Sequence, residues 1–515
     1  MAKENKMKTK IVLLPLDERP CNYNFPAELF SHEDLEIIRP EKLGFKKKAA
    51  DRNQIRNFLE RECRDADGLV LSADMLLYGG LVPSRIHHDE EEKLEKWLTV
   101  LTDIRKKNSK LIVYAFQVIM RCPSYSSSDE EPDYYEFCGE QIHKTGEIIH
   151  KSRLGISSGL GVQELMPQVP AEALDDYISR RQINKRMNER VLEYVERGDI
   201  DFLVIPQDDS AMYGYAAMDQ EAVYGEVLRR GLSDRVVMYP GADEVGMTLV
   251  SRMLNQIYGK KPKIYVKYAS EKSKYMVPLY EGNSLSATVK SHVSASGGQL
   301  TEGWENADMI IALTAPADHM QEATVQPSRL PEYRVERNLS EMVDFIKDRL
   351  KEGKTVTVAD NAYANGGELE FFKMLDRSGL LLLLDGYAGW NTSANTLGTA
   401  LAEGIDALLY GKRRGHQDFL VKRYLEDVGY CSVVRGTVAE KLQKTEWNYF
   451  DVGEQRGDVA EMVAEGLRHF IKEECSSIAE KIWLDDIYMP WKRMFETGFR
   501  AGIKEDRDEE DQSAG

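Results

Sequence analysis

Two adjacent carboxylates, Asp208 and Asp209, follow the apolar run FLVIPQ (202–207). Like charges leaving one buried strand cannot share the same proton affinity, so one should bind its proton more tightly than its neighbour. General acid/base catalysis uses that arrangement, and carboxylate pairs do the proton work in glycosidic-bond cleavage. The same oxygens also suit a hard divalent cation, Mg or Mn, which would make the chain a metal-dependent hydrolase of a phosphate or amide; a non-catalytic two-lobed binder of a small polar ligand is the other alternative. The structural alternative is that the pair only caps the next helix, worth about 0.5–2 kcal/mol.

Further polar words follow other apolar runs. Asp17, Arg19 and Asn22 follow KIVLLPL, Asp74 follows GLVLSA, and Asp243 with Glu244 follows RVVMYPGA. Asn361, Asn365 and Glu368 sit in ADNAYANGGE (359–368), and Tyr387, Trp390 and Asn391 in GYAGWNT (386–392). With Asp208 and Asp209 as the acid/base pair, Asp17, Arg19 and Asn22 would orient substrate hydroxyl or acid groups. Asp74, Asp243 and Glu244 are further carboxylates for the same substrate. Tyr387, Trp390 and Asn391 would form a sugar-facing wall, with the ring of Trp390 open to a cleft because its neighbours are Gly, Asn and Thr. Asn361, Asn365 and Glu368 would add polar contacts. Arg121 opens a long polar loop with Tyr125, Asp129, Glu130 and Glu131, and a loop of that length reads as a binding lid.

The elements that must position these residues alternate between short apolar runs and amphipathic stretches such as EEEKLEKWLTVLTDIRKK (90–107) and LSEMVDFIKDRLKEG (339–353). That alternation predicts α/β architecture, with parallel sheets flanked by helices. Two Rossmann-like lobes are expected, residues 1–260 and 261–410, then a helical C-terminal region, 411–515, with a frayed acidic tail. A decorated TIM-like barrel is the alternative. LLLLDGYAGWNT (381–392) reads as the last strand of the second lobe. Parallel strands send their carboxyl ends to one sheet edge, so the groups at 17–22, 207–210, 241–244, 360–368 and 385–392 should line one cleft.

LPLDERPCN (14–22), QDDSAMYG (207–214), GADE (241–244), ADNAYANGGE (359–368) and GYAGWNTSANTLGTALAEG (386–404) resemble a bacterial family labelled only as domain of unknown function 4127. The resemblance spans most of the chain. It implies a whole-chain family rather than a fusion of familiar modules, and it transfers no reaction.

Composition narrows the remainder. The 515 residues carry 86 acidic against 68 basic side chains, a net charge of −18, without a basic stripe for nucleic acid and unsuited to anionic lipid. No apolar run approaches the ~20 residues of a membrane span, and the N-terminus lacks a secretory pattern. Six cysteines show no CxxC spacing, and a cytoplasmic chain with reduced thiols is expected. GxGxxG, GxxxxGK[ST] and HExxH are absent, so dinucleotide, P-loop and zincin chemistry lack their motifs; the Ser157–Gly161 stretch is not preceded by a strand, so no GxSxG elbow is expected. No cofactor is expected apart from the Mg or Mn alternative, and the expected partner is a small-molecule or oligosaccharide substrate.

Overall fold

The computed structural model describes residues 8–156, 167–208 and 210–504. Asp209, the Ser157–Gly161 stretch and the acidic tail lie outside the described residues. Two all-parallel sheets organise the chain, flanked by helices. The first contains β1 (Thr9–Leu14), β2 (Leu35–Ile38), β3 (Gly68–Ser72), β4 (Ile112–Phe116), β5 (Phe202–Gln207) and β6 (Val236–Pro240), in the order β2-β1-β3-β4-β5-β6. The second contains β7 (Lys263–Tyr268), β8 (Gln299–Leu300), β9 (Met309–Thr314), β11 (Thr355–Asp360) and β13 (Gly386–Ala388), in the order β13-β11-β9-β7-β8. A small parallel pair, β10 (Gln321–Glu322) with β12 (Tyr363–Ala364), stands beside it.

The strands are apolar throughout because both faces are covered. Their alternate residues feed different cores. Ile11 and Leu13 of β1 join a cluster that also holds Ile264 of β7 and Met309, Ile311 and Leu313 of β9. Val12 and Leu14 turn to the outer helices of the first sheet, while Ile310, Ala312, Val356 and Val358 turn to those of the second. The shared middle layer is built from helices Val245–Ile257 and Ser393–Tyr410, whose Leu249, Val250, Leu397 and Leu401 are fully buried. They cross closely at Gly398, where a Cβ would stand 2.2 Å from Glu244 Cγ. Packing one helix layer against both sheets sets the two carboxyl edges in fixed relation. Among the described residues, no helix is long and apolar enough to cross a membrane.

Two details differ from the sequence reading. Leu381–Leu384 forms turns, and only Gly386–Ala388 pairs, with β11; Leu381 and Leu384 are buried in the outer core of the second sheet while Leu383 stays exposed, a use that a run of apolar residues permits equally well. The region after residue 410, expected to be helical, carries helices Arg414–Arg423, Arg435–Leu442 and Asp458–Glu474 with a π-helical stretch, Tyr424–Val434. It also contains an antiparallel hairpin, β14 (Ile482–Tyr488) with β15 (Gly498–Ile503). Acidic residues and a register shift between Asp485 and Tyr488 break the alternation that would have revealed those strands.

Candidate functional site

The chain leaves β1 through Pro15 and Leu16 and reaches Asp17, whose Oδ1 accepts the backbone N–H of Arg19 at 3.0 Å. This local turn, closed by Pro20 at the start of helix Pro20–Tyr23, folds the Arg19 side chain back over Asp17. Nε and Nη2 of Arg19 donate to Asp17 Oδ2 at 3.0 and 2.7 Å. Nη2 and Nη1 also donate to Asp243 Oδ1 and Oδ2 at 2.6 and 3.3 Å. Asn22 Nδ2 bridges the same two carboxylates at 3.0 and 2.8 Å. From the second sheet, Asn391 Nδ2 reaches Asp243 Oδ2 at 3.3 Å. A buried guanidinium held between two carboxylates thus ties together the β1 and β6 ends of the first sheet, and Asn391 joins the second sheet to that cluster through Asp243.

A second lattice adjoins the first. Gly79 and Gly80, at φ 84° and 137°, stop the helix after β3 and start another, Leu81–Ile86. A Cβ on Gly79 would sit 2.7 Å from the Ala50 backbone nitrogen, so only glycine fits this turn. The new helix aims Arg85 at Asp208, with Nη2 donating to Oδ2 at 2.5 Å and Nη1 to Glu130 Oε2 at 2.7 Å. Arg121 bonds Glu131 at 2.8 Å and Glu130 at 3.3 Å. Arg493, from the C-terminal region, bonds Glu130, Asp129 and Glu496. Burial would raise the Glu130 carboxyl, but Arg493, Arg121, Arg85 and Arg19 outweigh it and hold the group well below its ordinary value. Trp491 lies between two of these cations, 4.7 Å from Arg19 and 4.6 Å from Arg493. Its Nε1 donates to Glu18 at 2.6 Å. Burial, together with the nearby Asp17 charge, raises the Glu18 carboxyl.

The lattices wall a pocket of about 210 Å³. Its charged lining is balanced: Arg19, Arg85, Arg121 and Arg493 face Asp129, Glu130, Asp208 and Asp243. Three large rings at the pocket keep much of their surface exposed: Tyr125 at 48%, Tyr280 at 43% and Phe450 at 53%. Tyr280, Asn365 and Asn391 line it at positive φ (67°, 61° and 53°), and Trp491 and Lys492, just before Arg493, share that conformation. Such backbone is disfavoured for residues with a Cβ and concentrates at functional sites. The two asparagines brace each other, Asn365 N–H donating to the Asn391 carbonyl at 2.7 Å.

Each of the five strand-end groups contributes at least one residue: Arg19, Asp208, Asp243, Asn365 and Asn391 line the pocket, as does Arg121. Asp17 and Asn22 stand behind Arg19 and Asp243. The other candidates have different occupations. Asp74 is buried, accepting the Val118 N–H at 2.9 Å, and burial pushes its carboxyl up to about 7. Glu244 meets His292 Nε2 at 3.1 Å. Asn361 donates to the Ser393 carbonyl, and Glu368 is clamped by Arg337 at 2.7 and 2.8 Å. The expected open wall of Tyr387 and Trp390 is overturned. Tyr387 is fully buried with its hydroxyl on Asp360 at 2.6 Å. Trp390 is only 8% exposed, donates Nε1 to Thr399, and packs edge-on to Phe25. The small neighbours that implied an open ring instead admit close backbone packing: a Cβ on Gly389 would meet Gly367 Cα at 2.9 Å.

The chain belongs to the family described as protein of unknown function, DUF4127. The match covers residues 11–500, so both sheets and nearly all of the C-terminal region lie within it. Comparison with curated proteins finds no match. Sequence reasoning missed Arg85, Arg493, Tyr280, Tyr449, Phe450 and Phe495 as pocket residues. Arg85 had a signal, the Gly79–Gly80 pair behind a strand. Arg493 and Phe495 had none, since they arrive from a region remote in sequence. Among the described residues, no group of three or more His, Cys, Asp or Glu side chains is disposed to hold a metal ion.

Proposed function

We propose that this protein is a hydrolase acting on a carbohydrate or glycoconjugate, at a glycosidic bond, by carboxylate acid/base catalysis. The observation that carries the reading is the charge-balanced pocket with open rings. Four guanidiniums largely spent on neighbouring carboxylates do not form a bare anion site. They form a fixed lattice of donors and acceptors, which suits hydroxyl groups that both donate and accept. Tyr125, Tyr280 and Phe450 supply faces for the apolar side of a sugar ring. Asp208, at the end of β5 with its carboxylate paired to Arg85, would act as the proton-accepting member of the acid/base pair. Asp209 is its proposed partner from the same turn.

The test is a panel of chromogenic glycosides on the purified chain, with Asp208→Asn alongside. Asparagine keeps the Arg85 contact but cannot transfer the proton, so turnover should fall by roughly 10²–10⁴ with little change in melting temperature. Turnover unchanged in Asp208→Asn would remove this residue from the chemistry. Binding without turnover of any glycoside would make the protein a binder. Activity abolished by EDTA and restored by Mg or Mn would favour the metal-dependent alternative.

A further inference from the structure

Behind the main pocket lies a small recess of about 20 Å³ that shares Arg19, Asp243, Asn365, Asn391 and Phe495 with it. A water-sized probe needs roughly 10–15 Å³, so the recess is narrow and suits a group about the size of a methyl. Cys21, Trp390, Cys431 and Phe495 supply its apolar wall. Burial pushes the Cys431 thiol up to about 12 and the Cys21 thiol well above its ordinary value, so both stay neutral and behave as small hydrophobes.

The charged groups that border the recess are engaged elsewhere. Glu496 pairs with Arg493 and Glu426 with Arg423. Arg435 donates to the Phe495 and Asn365 carbonyls. Asn365 and Asn391 behave differently. Each spends its Nδ2 on a carboxylate, Glu322 and Asp243 respectively, and neither Oδ1 receives a donor from the described residues. The two asparagines line both the pocket and the recess and offer acceptors where the cavities share walls.

An apolar hole for one carbon beside amide-seeking oxygens is the complement of an acetamido group. Resting on the carbohydrate reading above, we infer that the substrate is an N-acetylated sugar whose acetyl methyl enters the recess and whose amide N–H is taken by Asn365 or Asn391. The recess then sets specificity by acyl length, while the Arg/carboxylate lattice holds the ring hydroxyls.

Isothermal titration of the full chain with N-acetylglucosamine, glucose and N-butyrylglucosamine, and with the galactose counterparts, tests this. Burying the methyl should contribute about fourfold, and the amide hydrogen bond should bring the preference over the parent hexose to about tenfold. The N-butyryl sugar, two carbons too long, should bind no better than the hexose. Cys431→Ala removes the sulfur from the wall and should move the optimum from N-acetyl to N-propionyl. Should that variant fail to fold, the acyl series on the unaltered chain decides alone. Hexoses binding as well as their N-acetyl forms, or N-butyryl binding as well as N-acetyl, overturns this inference and leaves the carbohydrate reading standing. Binding of no sugar at all overturns both.

Discussion

Replacing Asp243 with alanine removes the acceptor that joins the two sheet edges. Asp243 receives two bonds from Arg19, at 2.6 and 3.3 Å, one from Asn22 at 2.8 Å and one from Asn391 at 3.3 Å. Arg19 and Asp243 are buried at 5% and 6% exposure, so water cannot easily take over the vacated donors. Losing one partner of a buried charge pair costs about 3–5 kcal/mol, because the remaining charge stays desolvated. Asp17 still faces Arg19 at 2.7 Å, which places the expected loss near the lower end, about 3 kcal/mol. At roughly 2–4 °C per kcal/mol for a large domain, the melting temperature should fall by roughly 6–12 °C. The double variant Arg19→Ala/Asp243→Ala should lose less than the sum of the two single changes, since Arg19→Ala alone leaves both Asp17 and Asp243 without their cation, whereas the double variant leaves only Asp17. Differential scanning calorimetry of the four proteins measures this. A fall under about 2 °C for Asp243→Ala, or strict additivity in the double variant, would refute the pair as the buried tie between the β1 and β6 ends.

Trp390→Ala should cost about 3–5 kcal/mol, because the ring fills the core beside Phe25 and bonds Thr399; a melting temperature unchanged in calorimetry would restore the open-ring reading. Phe450→Ala, at an exposed pocket ring, should alter stability by less than about 0.5 kcal/mol while weakening sugar binding several-fold by titration; unchanged affinity would remove that ring from the site. Glu281, buried and pushed from 4.5 up to about 8 by burial, with Glu244 adding to the rise, holds its proton more tightly in the folded chain than in the unfolded one. Stability from this group is therefore full below about pH 4.5 and is lost as pH rises through about 8, by at most roughly 5 kcal/mol. Glu281→Gln should flatten the decline in urea stability between about pH 5 and 8.5, and a slope equal to that of the unaltered chain would show that Glu281 does not titrate in this range.

The sequence by itself determined the class of fold. Apolar runs such as IVLL and MIIAL, repeated between amphipathic stretches, fit strands covered on both faces, with those stretches supplying the covers. It also determined where to look, because parallel strands discharge their polar ends at one edge; Arg19, Asp208, Asp243, Asn365 and Asn391 meet in one pocket for that reason. Which strand-end residue faces the pocket was not legible. Asp243 and Glu244 are neighbours, yet one meets Arg19 at the pocket and the other faces His292 in the core. A one-residue step around a turn reverses a side chain's direction, and only packing selects it. Tyr387 and Trp390 misled for a related reason, since glycines beside an aromatic ring permit either an open cleft or a close backbone approach. Arg493, Phe495 and Tyr449 reach the pocket from a region remote in sequence. Their contribution belongs to the tertiary structure alone, because the contacts that seat them, such as those of Arg493 with Asp129 and Glu130, are remote in sequence and leave no local pattern in the chain.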